Sequence, residues 1–496
     1  MRLQIVGRRG GVRPGDGGEL ARVISAPYKL ELPLSWSTSS LRRFASALAM
    51  GLALIVCGLL WLRSSVAPLS EFDQTFYIGI AHDLRATGRF TDGFVFTPAD
   101  AQQLRPAGMR FAPLYPGLVA ATAGWDGDFA RAMACVVRSH GNDAGCPTEA
   151  GVIRLLQLGM LAVFLWLVWW IAGNVLESQR AGWIALLLAG MTVPYLLRYV
   201  NYVMTEMTAL LLLTSAIAAA VRARRGPSVG WLVVAGVCLG LTALTRPAYL
   251  YLGYACALVG LALVCWREPR LRSLLLLLGF VAGLGATVLP WIARNAVVLG
   301  RPALTYGYDS HVLALRVAYN RMNWEENGLF YVCGLPGGKG LASALARPDA
   351  CKRFSWGPTE KEAFFIIGSS TFMDETLAAA GGAPHHLTYL LRHHVLATPL
   401  KHALVTVPFA LAGAWINHYW GLVLGVVCAV VTVQALRGGH QGMLLVTLPG
   451  WFMLLLHASV AINQPRYNLV LILPYSIAGA WLIERALSSR AISNST

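Results

Sequence analysis

The chain has 496 residues, of which 56% are hydrophobic and 13% charged, and it carries a net charge of +16. That charged fraction is about half of the ~25% usual for soluble domains, which excludes a string of soluble domains. The positive balance does not point to nucleic acid, because no basic stripe with interleaved aromatics is present and many of the arginines gather in short loops between apolar runs.

Residues 1–43 are polar and rich in Arg and Gly. They read as a basic cytoplasmic tail with nothing in it to pack, too long for the charged start of a signal peptide. Apolar runs of spanning length then recur at 44–62, 152–172, 181–197, 207–222, 229–245, 247–265, 272–292, 419–436, 442–460 and 468–486. They predict an all-α polytopic membrane protein of about ten transmembrane helices. The tail, the "VRARRGPS" loop and the "CWREPRLR" loop carry basic clusters and fall on one side, which makes that side the cytoplasm. The other side then receives two large extracytoplasmic loops containing interfacial helices, 63–151 and 293–418. Helices 1–7 fill 44–292, helices 8–10 fill 419–487, and a short cytoplasmic tail follows at 488–496. The expected location is a multi-pass plasma (inner) membrane protein. No internal repeat is evident.

The first outer loop opens on Asp73. Phe76, Ile80 and Leu84 recur at i, i+4 and i+8, with Asp83, Arg85 and Arg89 on other faces and Gly88 near the end. This predicts a short amphipathic helix lying on the membrane. Asp73 is then a helix N-cap or an interfacial carboxylate able to act as a general base. In "GMRFAPLYPGLVAATAG", Arg110 precedes Pro113, Tyr115 and Pro116. The prolines predict a rigid extended turn, with Tyr115 at headgroup level and Arg110 facing water or an anionic group such as a phosphate.

Further along, Glu206 sits at the mouth of a span on the outer side, in "YVMTEMT". An ionisable residue there is a functional candidate, and its place near the interface leaves it solvated. Arg246 in "LTRP", Arg294 in "PWIARN" and Arg466 beside Tyr467 in "NQPRYN" also lie at outer span ends. Together with Arg110 they form an anion-binding floor or a set of snorkelling side chains. Five of the nine cysteines fall inside spans. The other four lie only in the outer loops, and pairing Cys135 with Cys146 and Cys333 with Cys351 predicts two disulfides in an oxidising compartment.

The histidines His385, His386, His393, His394 and His402 have spacings of 7 and 8. They form a metal site or, with no carboxylate or Cys nearby to complete it, the wet face of an interfacial helix. The segment 402–418, interrupted by Pro408, is taken as interfacial rather than as an eleventh span. "GLPGGKG" lacks the Ser/Thr and the context of a phosphate-binding loop.

The ordered set is an outer-loop Asp followed by "Y…A…L…G.F", then "P.YP", "YVMTEMT", "LTRP", "PWIARN" and "RY" before "LILP". It resembles the GT-C membrane glycosyltransferases of the protein-mannosyltransferase and aminoarabinose-transferase kind (family 39-like) over about residues 44–487. The resemblance implies a polyprenyl-phosphate-linked sugar donor, transfer on the outer face to a lipid, glycan or protein acceptor, and usually inversion. By position it makes Asp73 the catalytic carboxylate and Glu206 the second acidic residue. Arg110 and Arg246 fall near the donor phosphate, Arg466 matches more loosely, Arg294 belongs to the same floor, and Tyr115 and Tyr467 line the substrate. Many relatives carry an Asp-Glu pair where this chain has Asp73-Gln74, so a divalent metal ion stays open. The competing readings are a transporter or flippase for a phosphorylated lipid or lipid-linked sugar, and a non-catalytic scaffold or sensor.

Overall fold

A computed structural model describes residues 38–71, 73–96, 104–141, 145–226, 228–266, 271–335, 337–345, 349–355 and 361–493. Most of the 1–43 tail and part of the "CWREPRLR" loop lie outside the described residues. Among the described residues all regular structure is helical. Eight helices are long and apolar enough to cross a bilayer: Phe44–Trp61, Gly151–Val175, Glu206–Arg225, Tyr249–Trp266, Leu271–Leu299, Tyr419–Gly438, Gln441–Val460 and Pro465–Ser489. Val229–Thr245 is apolar but shorter. The expected third span is a broken pair, Gln179–Gly190 and Val193–Asn201, bent by 57°. The break falls just before Pro194, which sits in the first turn of the second arm; proline lacks an N–H and disfavours a helical residue before it.

The segment expected to be interfacial is the helix Pro399–Ala414, which meets Ala383–Leu396 at 94°. Its Val405 and Phe409 are buried with Tyr319, Phe330, Phe354 and Phe364 in the core of the second outer loop. Arg316 holds that loop to the spans. It is fully buried and donates to Ala458 O, His402 O, Asn320 Oδ1 and Thr406 Oγ1. Cys333 and Cys351 are joined by a disulfide within the same loop.

The segment 63–151 is a small helical core. Gln74–Thr87, Leu114–Trp125 and Gly127–Arg138 bury Ile78, Tyr115, Val119, Phe129 and Met133 against Ile153, and a Cys135–Cys146 disulfide closes it. Two expectations change here. Gln74–Thr87 does not lie on the membrane by a single apolar stripe. Phe76 and Ile80 do pack with Phe111, but Gln74, Ile78 and Ala81 are buried on a second side. Asp83 is buried as well, bonded by Thr91 and Arg105. The "P.YP" segment is not an extended turn: Pro113 caps a helix and Pro116 lies in its first turn, where the missing N–H costs no helical bond.

The breaks between these helices leave backbone groups without helical partners. Three side chains satisfy them. Arg154 donates to Asn201 O, Thr148 O and Ala67 O. Gln157 donates to Val200 O and Tyr202 O. Gln74 donates to Pro68 O and Glu71 O and accepts from Val203 N–H. These bonds tie the start of the first loop to the segment that leads into Glu206.

Candidate active site

Asp73 stands at the N-cap position of Gln74–Thr87, yet its side chain makes no cap bond. A capping residue needs an extended backbone to aim its oxygen at the helix amides. Asp73 is helical instead, at φ −74° and ψ 0°. Its Oδ2 accepts from Arg466 Nη2 at 2.9 Å. The cap reading is therefore replaced by an ion pair between the first loop and the entry to the last span.

Arg466 also donates to the Tyr467 hydroxyl at 3.2 Å. The Tyr467 ring carries two guanidinium groups, Arg466 and Arg246, each 5.0 Å from its centroid. Arg246 lies 3.5 Å from Glu206 Oε1. The side chains thus form one run, Asp73–Arg466–Tyr467–Arg246–Glu206, drawn from four separate chain segments. A hydrogen-bonded kink sets Arg466 and Tyr467: Asn468, at φ −112°, donates to Asn463 Oδ1 and Gln464 O. Gly413 permits this, since a Cβ there would lie 2.2 Å from Asn463 Nδ2.

Glu206 is not solvated, as its place near the interface had suggested. Its side chain is 2% exposed, against 33% for Asp73. The Glu206 carboxylate opens the helix Glu206–Arg225, where the helix dipole favours negative charge. Its Oε2 and the Nε of Arg466 are buried with no hydrogen-bond partner among the described residues. Desolvation, then the charges of Asp73 and Glu206, push the Tyr77 phenol above its ordinary value. Desolvation, then Tyr467 and Asp73, do the same to Tyr308. Both phenols stay protonated and able to donate beside the run. Neither tyrosine was singled out as a site residue, although Tyr77 is the "Y" of the pattern after Asp73.

The other expected residues separate. Arg110 places its guanidinium 4.4 Å over Phe96, and its backbone N–H donates to Asp92 Oδ1. It lies near His311, whose pKa is held below its ordinary value by burial and then by the Arg110 charge. Arg294 leaves the floor: it donates to Gly108 O, Phe90 O and Asn295 Oδ1. Tyr115 is fully buried and donates to Gln157 Oε1. The histidines do not form one wet face. His385 and His393 are exposed, but His386 is buried on Thr376 Oγ1 and His402 on Asn320. No group of three or more His, Cys, Asp or Glu side chains converges among the described residues.

No family model matches the sequence, and no curated protein does. Several solved structures resemble the chain. An oligosaccharyltransferase from Archaeoglobus fulgidus in the apo form matches at 12% identity and a TM-score of 0.46, over 92% of this chain and 52% of that one. The archaeal oligosaccharyltransferase AglB from the same organism, in complex with an inhibitory peptide and a dolichol-phosphate, matches at 11% and 0.47 over the same shares. ArnT from Cupriavidus metallidurans bound to undecaprenyl phosphate matches at 16% and 0.36, over 92% of this chain and 80% of that one. The chain spans about half the length of the oligosaccharyltransferases it matches. These are likenesses of chain path; the functional reading below rests on the residues.

Proposed function

We propose that this chain is a GT-C type membrane glycosyltransferase. It moves a sugar from a polyprenyl-phosphate-linked donor to a lipid, glycan or protein acceptor on the extracytoplasmic face of a plasma membrane. The observation that supports this reading best is the run Asp73–Arg466–Tyr467–Arg246–Glu206 at the outer span ends, with an accessible carboxylate at one end and unpartnered polar atoms inside it.

Asp73 is the base. The acceptor hydroxyl or amine gives its proton to the Asp73 carboxylate while its lone pair attacks the anomeric carbon. The bond from that carbon to the phosphate oxygen breaks, and its electrons leave with the polyprenyl phosphate. Arg246 and Arg466 match the charge that develops there. Attack from the face opposite the leaving group inverts the anomeric centre.

Without donor, Asp73 Oδ2 is engaged by Arg466. A phosphate offers the guanidinium a better, forked partner. Turning Arg466 toward it frees the carboxylate, so the base becomes available only when the donor is in place. Glu206 holds Arg246 and keeps one oxygen for a hydroxyl or amine of the sugar. The Tyr467 ring has both guanidinium groups beside it.

The test is a reaction of the purified chain in detergent with a polyprenyl-phosphate sugar and a membrane extract as acceptor. Released polyprenyl phosphate and transferred sugar are counted together by mass spectrometry. One-for-one release and transfer is expected. Movement of the intact lipid-linked sugar across vesicles with no transfer would overturn the reading in favour of a flippase.

A further inference from the structure

The guanidinium of Arg110 is half-buried and unspent. The Arg110 backbone N–H donates to Asp92 Oδ1, but the guanidinium makes no hydrogen bond or ion pair among the described residues. Its Nε is buried and bare. Its contact is the Phe96 ring, 4.4 Å away, and a cation–π contact over a ring face leaves the N–H groups of the fork free. Arg294 shows the alternative, because it spends its donors on Gly108 O, Phe90 O and Asn295 Oδ1. A cation taken partly out of water with no anion beside it carries a desolvation cost that nothing offsets.

The segment 293–418 brings further donors to the same place. Met109 O accepts from Tyr306 N–H at 3.2 Å, which sets residues 109–111 beside 306–308. Gly307 follows at φ +85°, and a Cβ there would come within 3.9 Å of Arg110 Nη2. Gly307 caps the helix Tyr308–Ala318, and the partial positive charge of a helix start repels a cation. Arg110 therefore gains nothing from its position there. On that helix the Tyr308 and His311 rings stack 6.2 Å apart, and neither the hydroxyl nor the imidazole is hydrogen-bonded among the described residues. The charges that act on His311 are those of Arg110 and His386. Asp309, in the same turn, is exposed and accepts from Ser310 N–H. Phe111 packs on Phe96 at 5.6 Å and on Tyr308 at 5.1 Å, so the floor is apolar. A guanidinium fork, an imidazole and a phenol over an apolar floor lack only an oxyanion.

We infer that Arg110, His311 and Tyr308 form an oxyanion site where the segments 63–151 and 293–418 meet, distinct from the Asp73–Glu206 run, and that it takes a phosphate group. The inference does not depend on the transferase reading.

The full chain in detergent is unfolded by heat at fixed ionic strength with chloride, with inorganic phosphate or with phosphatidic acid. The Kd is read from the rise of the midpoint with ligand concentration. A phosphate ligand is expected to raise the midpoint where chloride does not. Its Kd should weaken about 10–100-fold in Arg110→Gln and severalfold in His311→Gln or Tyr308→Phe. Arg110→Lys keeps part of the binding, because charge remains and the fork is lost. Arg138→Gln removes an exposed charge from the helix Gly127–Arg138 and leaves Kd unchanged. Each variant is compared with its own ligand-free midpoint, so altered stability is not read as altered binding. If Arg110→Gln does not fold, Arg110→Lys and His311→Gln decide. The rise persists in Arg246→Ala/Arg466→Ala, which separates this site from the proposed donor site. A rise with inorganic phosphate identifies free phosphate as sufficient. A rise with phosphatidic acid alone, with the same dependence on Arg110, identifies a lipid headgroup, and either result supports the site. No rise with either ligand, a rise that ignores Arg110→Gln, or its loss in Arg246→Ala/Arg466→Ala overturns it.

Discussion

Two polar clusters, one on the helices Gly151–Val175 and Val193–Asn201 and one joining Asp73, Glu206, Arg246 and Arg466, are built differently. Around Arg154, the Nε and both terminal nitrogens each donate to a separate backbone carbonyl, and Gln157 and Asn201 are bonded through both ends of their amides. Around Arg466, charges alternate but the bonding is incomplete: its Nε and Glu206 Oε2 are buried and bare. Buried polar groups nearly always find partners, because an unmade bond forfeits the desolvation cost. The saturated cluster has nothing left to offer a ligand and serves to hold backbone in place. The incomplete one is organised for partners that arrive. Arg316 in the second loop follows the first pattern.

The sharpest way to break this comparison is Asp73→Asn. Removing a general base lowers turnover by about 10²–10⁴, and Asn should be as damaging as Ala because an amide takes no proton at neutral pH. Expression and donor binding should survive, since the Asp73 side chain caps nothing. An Asn variant with full turnover would move Asp73 into the structural class. Arg154→Ala should do the reverse. It strands one buried and two part-buried backbone carbonyls and should cost about 1–3 kcal/mol of stability, read as a lower midpoint of thermal unfolding. The protein that still folds should keep its specific activity.

The sequence made the spans legible because each is a continuous apolar run, but the 181–197 run gave no expectation of the break before Pro194. It also exposed Asp73, Glu206, Arg246, Arg466 and Tyr467, because a charge or aromatic at a span end stands out against that background. Their pairing was not legible: Asp73 and Arg466 are 393 positions apart, and nothing local couples them. Asp73 as cap or as ion-pair partner is decided by one backbone angle. Arg294 was misplaced for a different reason. Its helix runs on to Leu299, past the expected end at 292, so Arg294 reaches loop carbonyls from within a helix. The stripe Phe76–Ile80–Leu84 was real, but a second buried side through Gln74 and Ile78 carries no simple apolar period.

Among the arginines the same contrast can be drawn within one experiment. Arg246→Ala and Arg466→Ala should each weaken donor affinity by about 10–100-fold, with Lys restoring part of it, as expected when a charge-assisted contact is lost. Arg294→Ala should leave donor affinity unchanged and instead lower the unfolding midpoint, because its guanidinium is already bonded to the backbone. Equal effects of all three on donor affinity, measured by equilibrium binding of the lipid-linked sugar, would restore the single floor expected from sequence.

Gln74 lies on the border between the two clusters and gives the smallest effect. It is next to Asp73 and fully buried, yet all its bonds go to backbone. Gln74→Glu creates the Asp-Glu pair of the resembling family with almost no change of shape. A carboxylate still accepts from Val203 N–H but cannot donate to Pro68 O and Glu71 O. Two carbonyls then lose their donor beside a newly buried charge, which should cost about 1–3 kcal/mol. The bond to Val203 remains but its anchor on the loop start is lost, so turnover should fall severalfold, and added Mg²⁺ or Mn²⁺ should not restore it. A Glu variant that is as stable as the parent and turns over only with metal would show that position 74 belongs with Asp73 in a ligand set. A stable loss of turnover, indifferent to metal, would leave Gln74 as the residue through which the saturated cluster holds the incomplete one in register.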